Sequence, residues 1–226
     1  MRKYAFLNNK KWLIRYYNRK IINEKINIIH GVVYDLGCGS KPYQCLIEKY
    51  SDQYIGVDWG NTTHEKVMDV NADLNEKLPI DNHVADAVIS FQVMEHLNNP
   101  EKFLEEAYRI LKKDGIIFLT VPFQHQVHEM PYDYYRYTEF GLKYLFEKTG
   151  FSDITIEGAG GFWITIANKI SYHSTRWVKG PKFIRNILRI ILFLFRFAIQ
   201  RLSLVLDKVD FNEKEALLYS VIAKKY

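Results

Sequence analysis

A chain of 226 residues with 48% hydrophobic and 15% aromatic content can build one good core and a modest appendage, which excludes a disordered protein. Its two cysteines, Cys38 and Cys45, lie seven apart with no histidine–cysteine cluster nearby, which argues against a disulfide scaffold or a zinc site and for a reducing cytoplasm. The net charge of +5 is segregated, with +7 in residues 1–30, −10 in 31–157 and +8 in 158–206, so the body of the chain is acidic and no nucleic-acid partner is expected.

The N-terminus runs Met1-Arg2-Lys3 into mixed polar and aromatic residues, with no secretory signal, and residues 1–30 are expected to form a basic helical segment. Residues 32–36 then read as a buried strand opening into Gly37-Cys38-Gly39, and residues 54–57 as a second strand closed by Asp58. A strand, a glycine turn and an acid about 20 residues on describe a nucleotide pocket: the glycines allow close backbone approach, and the acid can accept from ribose hydroxyls. Further strands are expected at 85–90, 116–121, 154–156 and 218–223. A helix capped by Asn99, with Pro100 at its first position, is expected to run to Gly115, and another covers 139–148 between Thr138 and Gly150. Strands alternating with helices predict an α/β fold, a doubly wound and mostly parallel seven-stranded sheet, whose ligands bind beyond the carboxyl ends of the strands.

The sign of the charge narrows the ligand. Asp35, two positions before the first glycine, would repel a pyrophosphate, and the third glycine of the dinucleotide pattern falls on Pro42. A ligand with an ammonium and a sulfonium but no phosphate suits an acid there. At this point the sequence resembles the class I S-adenosylmethionine-dependent methyltransferases, whose first motif is acid-x-Gly-x-Gly-x-Gly; the third family glycine is Lys41 here. Ala72-Asp73-Leu74 with Leu78-Pro79, residues 85–90 with Gln92 to His96, and residues 110–115 are similar to later blocks of that family, in the same order. The resemblance covers roughly residues 31–157 and 218–225 and implies a Rossmann-like methyltransferase domain, at 31–160 plus 213–226, with S-adenosylmethionine as cofactor. Asp35, Gly37, Gly39, Asp58, Trp59, Asp73, Leu74 and Gln92 are the expected cofactor contacts; Asp73 near the adenine amino group rests on the resemblance alone.

Methyl transfer to a neutral hydroxyl needs a base, and His128, His125 and His96 follow strand ends. No tight cluster of acids and histidines appears along the sequence, so no metal is expected. His128 opens the run to Thr138, where a substrate lid would sit; Tyr132, Asp133 and Arg136 within it suit a polyhydroxylated acceptor, with rings on sugar faces and charges on hydroxyls. The alternative is a tyrosine-rich loop pinned by an Asp133–Arg136 pair. The run His-x-x-Pro-Tyr-Asp-x-x-Arg-Tyr-Thr also resembles a segment of bacterial methyltransferases associated with polysaccharide and glycolipid pathways, which implies a sugar or lipid-linked acceptor.

Residues 161–212 form a basic helical insertion before the last strand. Between 183 and 207, Arg185, Arg189, Arg196, Gln200, Ser203 and Asp207 recur at helical spacing on an arc of about 60°, and the remaining face is almost wholly apolar. A membrane span is disfavoured, since a central arginine costs about 2.5–3.5 kcal/mol. Two readings compete: a core or partner-facing helix, including a homo-oligomer contact, and a helix lying on an anionic membrane surface through residues 176–206, with the apolar face inserted and the basic side chains at headgroups. The second places the protein in the cytoplasm, peripherally on the inner face of the membrane.

Overall fold

The computed structural model describes residues 10–60 and 67–226; residues 1–9 of the predicted basic segment lie outside them. The described chain divides into two compact units. One comprises residues 21–123, 127–157 and 219–226; the other comprises residues 10–20, 124–126 and 158–218.

Seven strands, β1 (Val32–Leu36), β2 (Gln53–Asp58), β3 (Val70–Asn71), β4 (Ala85–Phe91), β5 (Leu111–Pro122), β6 (Ser152–Ala159) and β7 (Leu218–Lys224), form one sheet in the order β3-β2-β1-β4-β5-β7-β6. The pairs β3–β2, β2–β1, β1–β4 and β4–β5 are all parallel. This is the expected α/β architecture, a mostly parallel seven-stranded sheet. Central strands of such a sheet are covered on both faces, which is why they read as continuous apolar runs: Val33, Leu36, Ala87, Val88, Ile89, Ile117, Phe118 and Leu119 are fully buried. The two-residue β3 carries no apolar run and no periodicity, so nothing in the sequence marked its position.

Three helices flank these strands: α2 (Gln44–Ile47), α3 (Pro100–Ile110) and α4 (Glu139–Lys148). Asn99 caps α3, its side chain accepting from Lys102 N at 3.2 Å, and Thr138 caps α4, accepting from Gly141 N at 3.1 Å. The expected run of α3 to Gly115 is corrected. The helix stops at Ile110 because buried Leu111 pairs with Ala85 on β4, and an irregularity between Ala85 and Ala87 takes up the extra residues. Lys112 then reaches Asp86 at 2.8 Å, and residues 111–115 belong to the strand.

The other unit is helical: the start of α1 (Trp12–Lys25), α5 (Phe162–His173) and α6 (Lys182–Val209). In α6 the reading of a helix that packs its apolar face on the core is corrected over its C-terminal half, where the polar stripe turns inward. Arg196 Nε donates to Ser174 Oγ at 2.8 Å, Gln200 to Ser171 Oγ at 3.1 Å, and Asp207 accepts from Tyr17 Oη at 2.7 Å and Gly161 N at 2.8 Å. These partners draw the stripe inward, so that Gln200, Ser203 and Asp207 are buried. The apolar side faces out: Phe183, Ile190, Leu194, Leu202 and Val205 are all more than half exposed. Arg185 and Arg189 stay exposed near the start of the helix. No helix among the described residues is long and apolar enough to cross a membrane.

Candidate active site

β1 delivers the chain to a turn that only glycine fits. Gly37 has φ +86°, and a Cβ on it would lie 2.4 Å from Val93 Cγ2. Gly37 N and Cys38 N both donate to Val57 O, at 2.8 and 3.1 Å, which fastens the turn to the end of β2. Gly39, with φ +53°, has open space where its Cβ would be, so backbone is bared to the cavity there. Lys41, at the third family glycine, itself adopts φ +53°, and its Nζ lies 2.7 Å from Asp69 Oδ2. The lysine thus keeps a backbone conformation that glycine favours while its side chain turns to an ion pair.

Asp58 ends β2 directly opposite. Its Oδ2 accepts from Gly39 N at 2.5 Å and its Oδ1 from Trp59 N at 2.6 Å. Each oxygen retains a lone pair for a further donor. Asp35 was expected at the pocket mouth, and this placement is corrected: it is 3% exposed, inside β1, and its Oδ2 accepts from Tyr54 Oη at 2.6 Å. Burial pushes its carboxyl up to about 7, the Tyr54 hydrogen bond opposing and the nearby Asp58 charge adding to the rise.

Beyond these strand ends lies a cavity of about 670 Å³ whose walls include Gly37, Gly39, Asp58, Trp59, Asp73, Leu74, Gln92, His96 and Tyr132, nine of the expected site residues. That volume is in the range of cofactor sites, roughly 300–1,000 Å³. Asp73 Oδ1 accepts from Asn75 N and Nδ2, both at 2.9 Å, and so shapes the turn as well as facing the cavity. Gln92 holds φ +59°, the kind of outlier that clusters at ligand sites. Trp59 and Tyr132 meet edge to face at 5.6 Å, and Tyr134 stands on the same wall. Asn75, Val93, Leu97, Asn98, Glu129 and Met130 also line the cavity, and sequence reasoning missed them; they come from turns, where no periodicity flags a residue.

Asp133 and Arg136 were expected to hold acceptor hydroxyls, and here the pinned-loop alternative describes the geometry. Arg136 Nη1 and Nη2 donate to Asp133 Oδ1 and Oδ2 at 2.6 and 2.8 Å, and Asp133 Oδ2 also accepts from His128 N at 2.8 Å. Burial would raise the Asp133 carboxyl, but the Arg136 and amide hydrogen bonds outweigh it and hold it at about 2. The pair thereby fixes His128.

The three candidate bases part company. His125 lies in the helical unit, with its Nδ1 3.2 Å from Asn168 Nδ2. His96 and His128 come together, ring centroids 4.7 Å apart, around Glu95. The expectation that acids and histidines form no tight cluster is therefore corrected: donor atoms of Glu95, His96 and His128 lie within 4.8 Å of one another. The sequence hid this because His128 is 32 positions from His96 and only the fold joins them. Glu95 is fully buried and burial pushes its carboxyl up to about 8; burial also lowers His128, with the neighbouring His96 adding to the fall.

Comparison with known proteins places this geometry. Residues 34–119 match the family model described as a methyltransferase domain. A probable S-adenosylmethionine-dependent methyltransferase of Mycolicibacterium smegmatis is 29% identical over 96 residues, covering 40% of this chain and 37% of that protein. One from Mycobacterium tuberculosis is 32% identical over 97 residues, covering 40% and 35%. The matched region thus spans little more than a third of those relatives. In structure, an S-adenosylmethionine-dependent methyltransferase from Archaeoglobus fulgidus aligns over 97% of this chain and 96% of its own, with a TM-score of 0.58 and 20% identity. A phosphoethanolamine N-methyltransferase of Haemonchus contortus, in complex with phosphomonomethylethanolamine and S-adenosylhomocysteine, aligns over 97% and 59%, with 0.57 and 17%. Those identities speak for the fold. The bared backbone at Gly39, the spare lone pairs of Asp58 and the size of the cavity fit S-adenosylmethionine.

Proposed function

We propose that this chain, a class I S-adenosylmethionine-dependent methyltransferase by its domain and fold, methylates a sugar hydroxyl on a lipid-linked or polysaccharide precursor at a membrane face. The observation that carries this reading is the aromatic wall of Trp59, Tyr132 and Tyr134, beside His96 in a cavity of cofactor size. Flat rings of this kind stack on the apolar faces of sugars. When bound, S-adenosylmethionine supplies an already activated methyl group, so the protein contributes mainly alignment. Asp58 holds ribose hydroxyls, Asp73 and Leu74 edge the adenine, and Gln92 packs against the same ligand. Asp35 adds negative potential from behind the glycine turn. The acceptor loses its proton beside the Glu95–His96–His128 cluster.

The acceptor class is tested by incubating the full chain with methyl-labelled S-adenosylmethionine and bacterial membrane extracts. Label is expected in the glycan released from lipid by mild acid. Label retained in the lipid or a quinone fraction would replace the sugar reading with the alternative of an apolar acceptor. No label in any fraction, from protein that binds S-adenosylhomocysteine, would overturn both.

The membrane part rests on α6, which turns its apolar side outward and its polar side in. A large exposed apolar patch marks an interaction surface, and Arg176, Lys179, Lys182, Arg185 and Arg189 supply cationic charge at one end of it. A lipid surface with anionic headgroups answers both features. The chain is expected to sediment with phosphatidylglycerol-containing vesicles and not with neutral ones. Ile190→Glu with Leu194→Glu should weaken that binding at least about tenfold, since each swap replaces inserted apolar area with a charge. Equal pelleting of both proteins would defeat the membrane reading.

A further inference from the structure

Glu95 is fully buried, yet among the described residues no other side chain or backbone group hydrogen-bonds either of its carboxylate oxygens. Its own backbone N–H and the Arg136 charge offset only part of that burial. An uncompensated buried carboxylate is costly, so such a group points to a missing partner. His96 Nε2 lies 3.7 Å and His128 Nε2 4.0 Å from Glu95 Oε1, and His96 Nε2 is 3.8 Å from Glu129 Oε2. These separations are too long for hydrogen bonds. These pairs approach the roughly 3.4 Å between donor atoms that share a tetrahedral ion with bonds of about 2.1 Å, and the whole set, within 4.8 Å, closes on one ion with side-chain shifts of on the order of 1 Å.

The far sides of both rings are held as metal-binding histidines are held. His96 Nδ1 lies 2.6 Å from the Tyr132 carbonyl, which can only accept, so that nitrogen carries the proton and Nε2 presents a lone pair. His128 Nδ1 lies 3.3 Å from Asp133 Oδ2 and 3.4 Å from Arg136 Nη2, and the same guanidinium holds that carboxylate at 2.6 and 2.8 Å. A carboxylate or carbonyl behind each imidazole orients it and raises its basicity toward a cation. Glu129 holds φ +52°, a left-handed conformation uncommon outside glycine, and its side chain reaches His96 on the cavity wall.

We propose that Glu95, His96 and His128, with Glu129 as a fourth donor, bind one divalent transition ion such as zinc. Two imidazoles and two carboxylates, with no thiolate, select a borderline ion over a purely oxygen-loving one. His96 and Glu129 both face the cavity, so an acceptor hydroxyl entering from that side can join the ion. This role in the reaction rests on the methyltransferase reading above; the binding of the ion does not. Coordination lowers the hydroxyl's pKa, the O–H bond breaks and the proton passes to solvent. The oxygen lone pair then forms the O–CH₃ bond while the C–S bond breaks and its electrons remain on sulfur, giving the methyl ether and S-adenosylhomocysteine. His128 in this scheme is a ligand and not a base.

The full chain, stripped with a chelator and dialysed, is titrated with cobalt(II). One equivalent is expected to give a visible d–d spectrum that zinc displaces. His128→Ala and Glu95→Gln should each abolish that spectrum. Asp133→Asn should weaken cobalt binding by about 10–100-fold, as loss of a partner behind a ligand does, and His173→Ala, in the other unit, should leave it unchanged. S-adenosylhomocysteine calorimetry on the same samples reports whether each variant is folded. A wild-type chain that binds S-adenosylhomocysteine but gives no cobalt spectrum would overturn the metal site and leave the methyltransferase reading standing. Cobalt binding that survives in both His128→Ala and Glu95→Gln would overturn it as well. A chain that binds cobalt stoichiometrically but not S-adenosylhomocysteine would keep the site and remove its catalytic role.

Discussion

Asp58→Ala is expected to weaken S-adenosylmethionine binding by about 100-fold or more, measured by calorimetry at fixed ionic strength. The carboxylate has two tasks. It ties the glycine turn to β2 through Gly39 N and braces Trp59 N, and it keeps a lone pair on each oxygen for the ribose hydroxyls. A hydrogen bond to a charged acceptor contributes about 1.5–3 kcal/mol, so two of them, about 3–6 kcal/mol, exceed the roughly 2.7 kcal/mol that a 100-fold loss represents. Asp58→Asn separates the tasks. It keeps the shape and one acceptor oxygen, so the turn should persist while affinity falls about tenfold. Affinity within threefold of wild type in the alanine variant, with an unchanged melting temperature, would remove Asp58 from the cofactor site.

The glycine turn and Asp58 were legible because they depend on local requirements: positive φ without a Cβ, and an acid closing a strand. Gly37, Gly39 and Asp58 line one cavity for that reason. Asp35 was misplaced because sequence gives its strand position but not the depth of the strand end; the Tyr54 hydroxyl from the adjacent β2 holds it inside. The polar stripe of α6 is legible in its residues, while the face it turns to is not. Helical periodicity fixes which side chains share a face, and only tertiary partners such as Ser171, Ser174 and Tyr17 decide which face turns in. The Glu95–His96–His128 cluster was invisible for a related reason. Two neighbours in a short turn meet a third residue from a loop after another strand, and no spacing rule connects them.

Asp35→Asn is expected to change how the ligand-free protein's stability depends on pH. The native carboxyl sits near 7, above its ordinary 3.8, so the folded chain holds a proton across that interval which the unfolded chain releases. Its contribution to stability is therefore fully present below about pH 4 and is lost as pH rises to about 7, after which the curve is flat. Asparagine can still accept from Tyr54 and cannot ionise, so the variant should match wild type near pH 4 and exceed it at pH 8 by on the order of 2–4 kcal/mol. Denaturant midpoints at several pH values measure this; parallel curves for the two proteins would show that Asp35 ionises freely. The same substitution probes function. A cation over the glycine turn favours the ionised carboxylate, so wild type near pH 7 should release a proton on binding S-adenosylmethionine, visible as a buffer-dependent binding enthalpy. Groups around Asp35 that do not change, Lys41 and Asp58 among them, set its starting pKa but are common to both proteins. Loss of the buffer dependence in Asp35→Asn would tie the buried acid to the ligand's charge; its persistence would assign that proton to another group and leave Asp35 a purely structural role.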